Sequence, residues 1–423
     1  MSESATAAAI RATARILKAN PNRTVFLEQR AGSGAVVVKR YHAASALRRP
    51  RDRGRARREQ RVLARLHAAG LPVPEPLGIR RRDGCWELSC AWIPDAVSLH
   101  DLVDGRLPWP RPRAELAAAL GRLLARLHTA GLDHGDLHPG NVLIDAGGRP
   151  WLVDCAKARL RRRLGAPLLV RDLVRLAAGV REHLSARFRA RFLVAWLRAL
   201  SPELCARLPA RAPLVEGVER LARERRRSVA ARNRARWRRA SGVCRLVQDG
   251  GARALEAREP LRPDEIVIRR PATLEQWADS GLAWDHRLPC ARPLRFPLDP
   301  RSAATFALPA GSRPLDGTGA EGARARRIHL GAGALLGALR DRGLALARPP
   351  AAEDLWTDGR GALLLGPGPR LVARAPGDDR TVPEGIPAPV GRRERALFAL
   401  GYLRAHLGTR AERAALREEL LGG

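Results

Sequence analysis

The stretch from Leu127 to Lys157, LHTAGLDHGDLHPGNVLIDAGGRPWLVDCAK, constrains the fold more than any other part of the chain. Asp136 sits in a His-Gly-Asp loop, Asn141 follows at the fifth position after it, and Asp154 ends an apolar strand beyond a Gly147-Gly148 turn. The apolar run Asn141–Ile144, the glycine turn and Trp151–Val153 read as a hairpin that returns Asp154 beside the loop. A base and two oxygen ligands at these intervals suit phosphoryl transfer, in which the protein mainly positions an acceptor hydroxyl, a metal and a triphosphate. Asp136 is expected to accept or orient the hydroxyl proton. Asn141 and Asp154 are expected to ligate Mg2+, a hard cation that takes carboxylate and amide oxygens. The bland alternative, a polar turn ahead of a hairpin, is outweighed by what lies upstream.

There, Ala35-Val36-Val37-Val38 followed by Lys39 reads as a buried strand ending in a cation that reaches the α and β phosphates of a nucleotide such as ATP. Twenty residues on, Glu59 shares a helical pattern with Val62, Leu63 and Leu66 and is the expected partner of Lys39, ahead of Gln60 and Glu28. The phosphate-covering turn is assigned to Asn20-Pro21-Asn22-Arg23-Thr24, although no GxGxxG occurs, and Ala31–Gly34 joins the second and third strands. Gly70–Pro76 ends the helix, because proline forbids its continuation. Trp86–Trp92 then reads as a strand leading into a hinge near Ile93–Val97, and Glu115–Ala130 as a helix entering the loop, with His128 as a packing residue.

With these residues in order, the first half resembles the lipopolysaccharide kinase family, the bacterial Kdo and heptose kinases of protein-kinase-like fold. The matching pieces are Asn22–Phe26, Val37–Tyr41, Glu59, GLPVPEPLG, HGDLHPGNVLI and Val153-Asp154, over roughly Arg15 to Leu200. The resemblance implies ATP- and Mg2+-dependent phosphorylation of a sugar hydroxyl in the lipopolysaccharide inner core, at the cytoplasmic face of the inner membrane. Three departures qualify it. Gly135 stands where many protein kinases carry an arginine, which argues against control by an activation-loop phosphate. Cys155-Ala156 follow Asp154 in place of an aromatic residue, which argues against an aromatic-driven switch. Arg171-Asp172-Leu173 begins a helix from which Asp172 either braces the loop or favours the helix N-terminus.

The pattern LLxxLxxxGL occurs at Leu123–Leu132 and again at Leu335–Leu344. Asp145-Ala146-Gly147-Gly148 is echoed by Asp358-Gly359-Arg360-Gly361, and Arg171–Leu184 by Arg393–Leu407. A duplicated fold is the simplest account. In that alignment Asp354 takes the place of Asn141, Pro349 that of the base and Pro367 that of Asp154, while Ser241–Glu256 offers a hairpin without a lysine. The second copy is therefore expected to be catalytically dead.

The reading is an α+β chain: a bilobal kinase-like domain over 1–210 (small lobe about 15–95, large lobe about 96–210), an Arg-rich linker helix over 211–240, and a degenerate kinase-like domain over 241–423. The 423 residues exceed what one core organises. Pro/Gly-rich stretches Pro289–Gly322 and Gly366–Pro389 read as loops.

The net charge of +34 invites nucleic acid as a partner. Aromatic content of 4% with no stacking platform argues against it. An anionic glycolipid or sugar acceptor and peripheral contact with an anionic membrane fit better, with Arg159 and Arg161-Arg162-Arg163 as candidate contacts. Of 77 basic residues only Lys18, Lys39 and Lys157 are lysines, as a GC-rich genome would give. The six cysteines form no CxxC pair and Met1-Ser2-Glu3-Ser4 lacks a basic-then-apolar leader, so free thiols in a cytoplasmic setting are expected. The rival functions are a kinase of a small molecule or of protein Ser/Thr, a nucleotide-binding scaffold without turnover, and a basic nucleic-acid-binding protein.

Overall fold

Alternation along one strand organises the first part of the molecule. In β3 (Gly34–Tyr41), Val36 and Val38 are buried on one face with Phe26 of β2 (Arg23–Arg30), while Lys39 and Tyr41 emerge on the other. With β1 (Ala14–Asn20), β4 (Pro76–Arg82) and β5 (Cys85–Ala91) they form an antiparallel sheet in the order β1-β2-β3-β5-β4. Between β3 and β4 runs α1 (Arg49–Ala68), whose Val62, Leu63 and Leu66 are buried, each worth about 1.5–3 kcal/mol. The helix stops before Gly70, which adopts φ +67°.

These features come from a computed structural model. It describes residues 14–20, 23–30, 34–42, 49–105, 107–241, 244–249, 252–259, 261–286, 288, 290–298, 303–315, 322–347, 354–358, 363–367, 369–373, 392–405 and 414. Residues 21–22 of the expected phosphate turn and 31–33 of the next loop lie outside them.

After β5 come β6 (Val97–Ser98), α2 (Leu99–Val103), α3 (Arg113–Thr129) and β7 (Leu132–Asp133). The hairpin is β8 (Val142–Ile144) and β9 (Pro150–Leu152), extended by β6 into a three-stranded sheet. β10 (Arg159–Leu160) pairs with β7, and α4 (Ala166–Val180), α5 (Ala186–Ala199) and α6 (Pro202–Cys205) complete the region. α3 packs on α5 at close range, because a Cβ at Gly121 would stand 2.4 Å from the Phe192 carbonyl oxygen. Trp196 is fully buried there and donates its Nε1–H to His128 Nδ1 at 3.1 Å, so His128 is a packing residue. Asp172 lies in the second turn of α4, not at its start. The helix begins at Ala166, where Pro167 suits the first turn.

Two compact units divide at Val218–Glu219, inside the arginine-rich helix α7 (Arg211–Trp237). The second unit opens with the hairpin β11 (Cys244–Asp249) and β12 (Ala252–Ala257), then β13 (Glu265–Arg270), α8 (Leu274–Asp285), β14 (Arg292–Pro297) and β15 (Ala304–Pro309). Their sheet order is β11-β12-β14-β15-β13. The strand before the helix is at the edge and the strand after it is inside, the reverse of the first unit. Next come β16 (Arg313–Pro314), α9 (Gly322–Arg342), β17 (Leu344–Leu346), β18 (Leu355–Thr357), β19 (Leu363–Leu365), β20 (Leu371–Ala373) and α10 (Arg392–Ala405). They form a β16-β18-β19 sheet and a β17-β20 pair. Among the described residues the Pro289–Gly322 stretch, expected to be a loop, thus holds β14, β15 and β16. Of its described prolines, Pro297, Pro309 and Pro314 lie at strand ends and Pro293 at a bulge, positions where the missing N–H costs least. α10 packs on α9 as α5 packs on α3, so in packing it corresponds to α5 rather than to α4, with which its sequence aligns.

Candidate active site

The period of two along β3 delivers Lys39 and Tyr41 to the same carboxylate. Glu59 of α1 is fully buried; its Oε1 accepts from Lys39 Nζ and its Oε2 from Tyr41 Oη at 2.5 Å. Burial works against the Lys39 charge, but Glu59 outweighs it and holds the ammonium's pKa above its ordinary value. Burial, then Glu59, pushes the Tyr41 phenol up as well, so it remains a donor. Glu28 is engaged elsewhere, by Arg30 at 2.7 Å.

The loop that carries Asp136 is held from behind. Asp172, 1% exposed, accepts from the backbone N–H of His134 at 3.0 Å. Burial lowers the His134 pKa, keeping the ring neutral, and its Nδ1 accepts the Asp136 N–H at 3.3 Å. Asn141 donates its Nδ2–H to the Asp136 carbonyl at 3.0 Å, which leaves its Oδ1 to act as a ligand. The Val153 N–H donates to the Asn141 carbonyl at 2.9 Å, bringing the hairpin's far end to Asn141. Asp145 fixes the turn between, accepting from Arg149 N at 2.8 Å and Trp151 Nε1 at 2.9 Å.

Asp154 follows in the left-handed region, φ 61° and ψ 61°. Arg23, the first residue of β2, reaches it with both terminal guanidinium nitrogens, Nη1 to Oδ1 at 2.8 Å and Nη2 to Oδ2 at 2.7 Å. Burial would raise the Asp154 carboxyl, but the Arg23 bond and then Lys39 outweigh it and hold it well below the usual carboxylate range. A short 3-10 turn, Cys155–Lys157, then packs on α1. Cys155 is fully buried where an aromatic residue was missed, and burial pushes its thiol up. Lys157 returns to the loop and donates its Nζ–H to Asp136 Oδ2 at 2.8 Å. Gly135, at φ +72°, has room for the Lys157 carbonyl oxygen where a Cβ would stand 3.0 Å from it. That packing gives a local reason for glycine at this position.

The five residues singled out from the sequence therefore fall into two groups. Lys39 pairs with Glu59, and Asp136, Asn141 and Asp154 meet around one loop and one hairpin. The Lys39 charge also acts on Asp154. Arg159, Arg162 and Arg163 are exposed, whereas Arg161 donates to Asp133 at 2.8 Å, with Arg171 bound to the other oxygen of that buried carboxylate. Sequence reasoning placed Arg23 in the phosphate-covering turn, whereas it opens β2 and binds Asp154, and that reasoning assigned no role to Tyr41 or Lys157. Tyr41 was accessible from the strand period, and Lys157 from the scarcity of lysine. Nothing local marked Arg23, since its partner lies 131 positions away.

The carboxylate and amide oxygens of Asp154 and Asn141 suit a hard divalent cation sharing its shell with phosphates, and a guanidinium now stands as the cation against Asp154. Among the described residues no group of three or more His, Cys, Asp or Glu side chains forms an all-protein metal site.

Comparison with known proteins gives a similarity over part of the chain. The model of the lipopolysaccharide kinase (Kdo/WaaP) family matches residues 33–195. A 3-deoxy-D-manno-octulosonic acid kinase of Stenotrophomonas maltophilia (strain R551-3) is 36% identical over 141 residues, 30% of this chain and 52% of the relative. The protein of the same name from strain K279a is 35% identical over 168 residues, 35% of this chain and 63% of the relative. That from Xanthomonas euvesicatoria pv. vesicatoria (strain 85-10) is 36% identical over 144 residues, 30% and 55%. The chain thus spans 52–63% of the length of these curated relatives. Residues 33–195, the span over which the chain is similar to the Kdo/WaaP family of lipopolysaccharide kinases, hold Lys39, Glu59, Asp136, Asn141 and Asp154.

Proposed function

We propose that this chain transfers the terminal phosphoryl group of ATP to a sugar hydroxyl of the lipopolysaccharide inner core, with Kdo the first acceptor to try. The observation that carries this reading is the convergence of Asp136, Asn141 and Asp154 on one loop and one hairpin, behind which Lys39 is held by Glu59. The names of the relatives support the choice of sugar.

In this mechanism Lys39 binds the α and β phosphates, and Glu59, anchored by Tyr41, keeps its ammonium in place. Asn141 Oδ1 and Asp154 would hold Mg2+, which neutralises phosphate charge in the loose transition state. Arg23 must first give up the Asp154 oxygens. Asp136, 41% exposed at its side chain, orients the acceptor hydroxyl and takes its proton. Asp172 and His134 hold the loop that presents it.

Among the described residues no helix is long and apolar enough to cross a membrane. Exposed Arg159, Arg162 and Arg163 support a peripheral approach to anionic lipid, at about 1 kcal/mol each.

The second unit is, in our reading, a kinase-like copy that has lost its chemistry. The support is a repeated connection: the Gly366 N–H donates to the Asp354 carbonyl at 2.7 Å, as Val153 does to Asn141. Both bonds join the residue before a hairpin to the residue after it. Asp354 then corresponds to Asn141 and Pro367 to Asp154, and proline has no ligating side chain. The different order of its five-stranded sheet limits the correspondence to the later elements.

The test is phosphate transfer from MgATP to purified lipopolysaccharide lacking core phosphate, comparing wild type with Asp136→Ala. Transfer by the wild type alone supports both site and acceptor. If neither protein transfers while both bind MgATP, the lipopolysaccharide reading is lost and small-molecule and protein acceptors come next.

A further inference from the structure

In a chain where 74 of 77 basic side chains are arginine, the three lysines deserve an explanation. A compositional drift towards arginine leaves lysine only where a guanidinium cannot do the same work. Lys39 holds Glu59 and Lys157 holds Asp136. Lys18, exposed on β1 next to a bulge, is near enough for its charge to bear on His138 of the catalytic loop. All three lysines thus lie about one site.

We propose that Lys157 is a catalytic residue whose ammonium binds the phosphoryl group in transit between ATP and the hydroxyl held by Asp136. The inference rests on the function proposed above.

Stability does not explain the Lys157–Asp136 pair. Its side chains are 66% and 41% exposed, and such a pair contributes about 0–1 kcal/mol. Its root, however, is fixed. Cys155 is buried and the Lys157 carbonyl packs on Gly135, so a flexible stem carries a point charge from an anchored backbone to the base.

The two cations of the site also differ in how they bind. Arg23 occupies both oxygens of Asp154, whereas Lys157 is bonded to Asp136 Oδ2. An arginine at 157 could clamp Asp136 through both oxygens. An ammonium leaves Oδ1 for the acceptor hydroxyl and is a compact phosphate ligand.

In the step itself, the hydroxyl oxygen bonds to the γ-phosphorus as the bond from that phosphorus to the β,γ-bridging oxygen breaks. The electron pair of the broken bond leaves on ADP, and the hydroxyl proton passes to Asp136 Oδ1. Lys157 stays an ammonium throughout, shifting from Asp136 Oδ2 to a non-bridging oxygen of the moving group.

The experiment uses the full chain with Lys157→Ala and Lys157→Arg. With MgATP and phosphate-free lipopolysaccharide, both should lose about 100-fold in kcat, the scale of removing one preorganised donor, with smaller changes in KM for MgATP. Calorimetry with Mg2+ and either ADP or the β,γ-imido analogue of ATP needs no acceptor. Lys157→Ala should weaken the analogue about 10-fold or more, the worth of one charge-assisted hydrogen bond, and leave ADP unchanged. Near-wild-type kcat in either variant, or equal effects on ADP and analogue, overturns the proposal. If wild type phosphorylates no acceptor offered, the functional reading fails, and the analogue-against-ADP comparison alone decides Lys157.

Discussion

Arg23 and Asp154 form a two-pronged ion pair across 131 residues of sequence, at 2.8 and 2.7 Å. The side chains are only 15% and 22% exposed, so the carboxylate is claimed by a resident cation. A divalent ion must displace Arg23 to reach it. Arg23→Gln should therefore lower the Mg2+ concentration needed for half-maximal ADP binding. It should also cost the nucleotide-free protein about 2 kcal/mol, since the charged bonds to Asp154 are lost. Denaturant unfolding with and without MgADP checks this. An unchanged Mg2+ requirement would mean that Arg23 does not compete for Asp154.

Glu59 is fully buried with two donors on its two oxygens. Tyr41→Phe removes one and leaves a carboxylate oxygen unpaired in the interior, at a cost of about 1–3 kcal/mol. Because Lys39 keeps its own bond, nucleotide affinity should fall far less than in Lys39→Met. Equal losses of ADP affinity in the two variants would assign Tyr41 a direct role at the nucleotide instead.

The parts of the candidate site that were legible in the sequence are those fixed by short spacing. Asp136 to Asn141 is one loop, Asp154 is set by one hairpin, and the Lys39–Glu59 pair joins a strand to the next helix. Five strands were expected in the first unit, but their order β1-β2-β3-β5-β4 emerged only from the structure. Arg23 was illegible because its role depends on where two strands bring it, not on its neighbours. The strands in Pro289–Gly322 were hidden by prolines, which mark loops in a sequence but are tolerated at strand ends and bulges. The exchange of β13 and β14 within their sheet left no local signal, since both are short β-rich segments flanking the same helix.

Burial depresses the His134 pKa below its ordinary 6.5. Above that value the imidazole is neutral in both folded and unfolded chains and contributes nothing. As pH falls below it the unfolded chain takes up the proton first, so stability is lost on acidification. Protonation also removes the Nδ1 lone pair that accepts the Asp136 N–H. Unfolding midpoints between about pH 7.5 and pH 5 should drop less steeply in His134→Asn than in wild type. Parallel slopes would put the acid sensitivity elsewhere.

The pairing of α9 with α10 depends on glycine at the crossing. A Cβ at Gly333 would stand 2.0 Å from the Phe398 carbonyl oxygen, and one at Gly337 2.3 Å from that of Tyr402. These are backbone atoms and cannot swing aside. Gly337→Ala should destabilise the second unit by about 1–3 kcal/mol or more, the range for overpacking. Gly217→Ala, with no atom within 4 Å of its Cβ, is the control. If the two variants melt alike, the helices are not held at the described separation.

The strongest test of the second unit is a count of nucleotides. Its Asp354 stands before a hairpin as Asn141 does, and Gly366 closes on it as Val153 closes on Asn141. The next residue is Pro367 where the first unit has Asp154, so on the proposed function one of the two oxygen ligands is missing there. A metal–nucleotide complex that needs both should bind once per chain. Calorimetry with MgADP is expected to give a stoichiometry of one for the wild type and no binding for the double variant Lys39→Met, Asp154→Ala. Two sites in the wild type, or one site surviving in the double variant, would make the second unit a nucleotide-binding module in its own right.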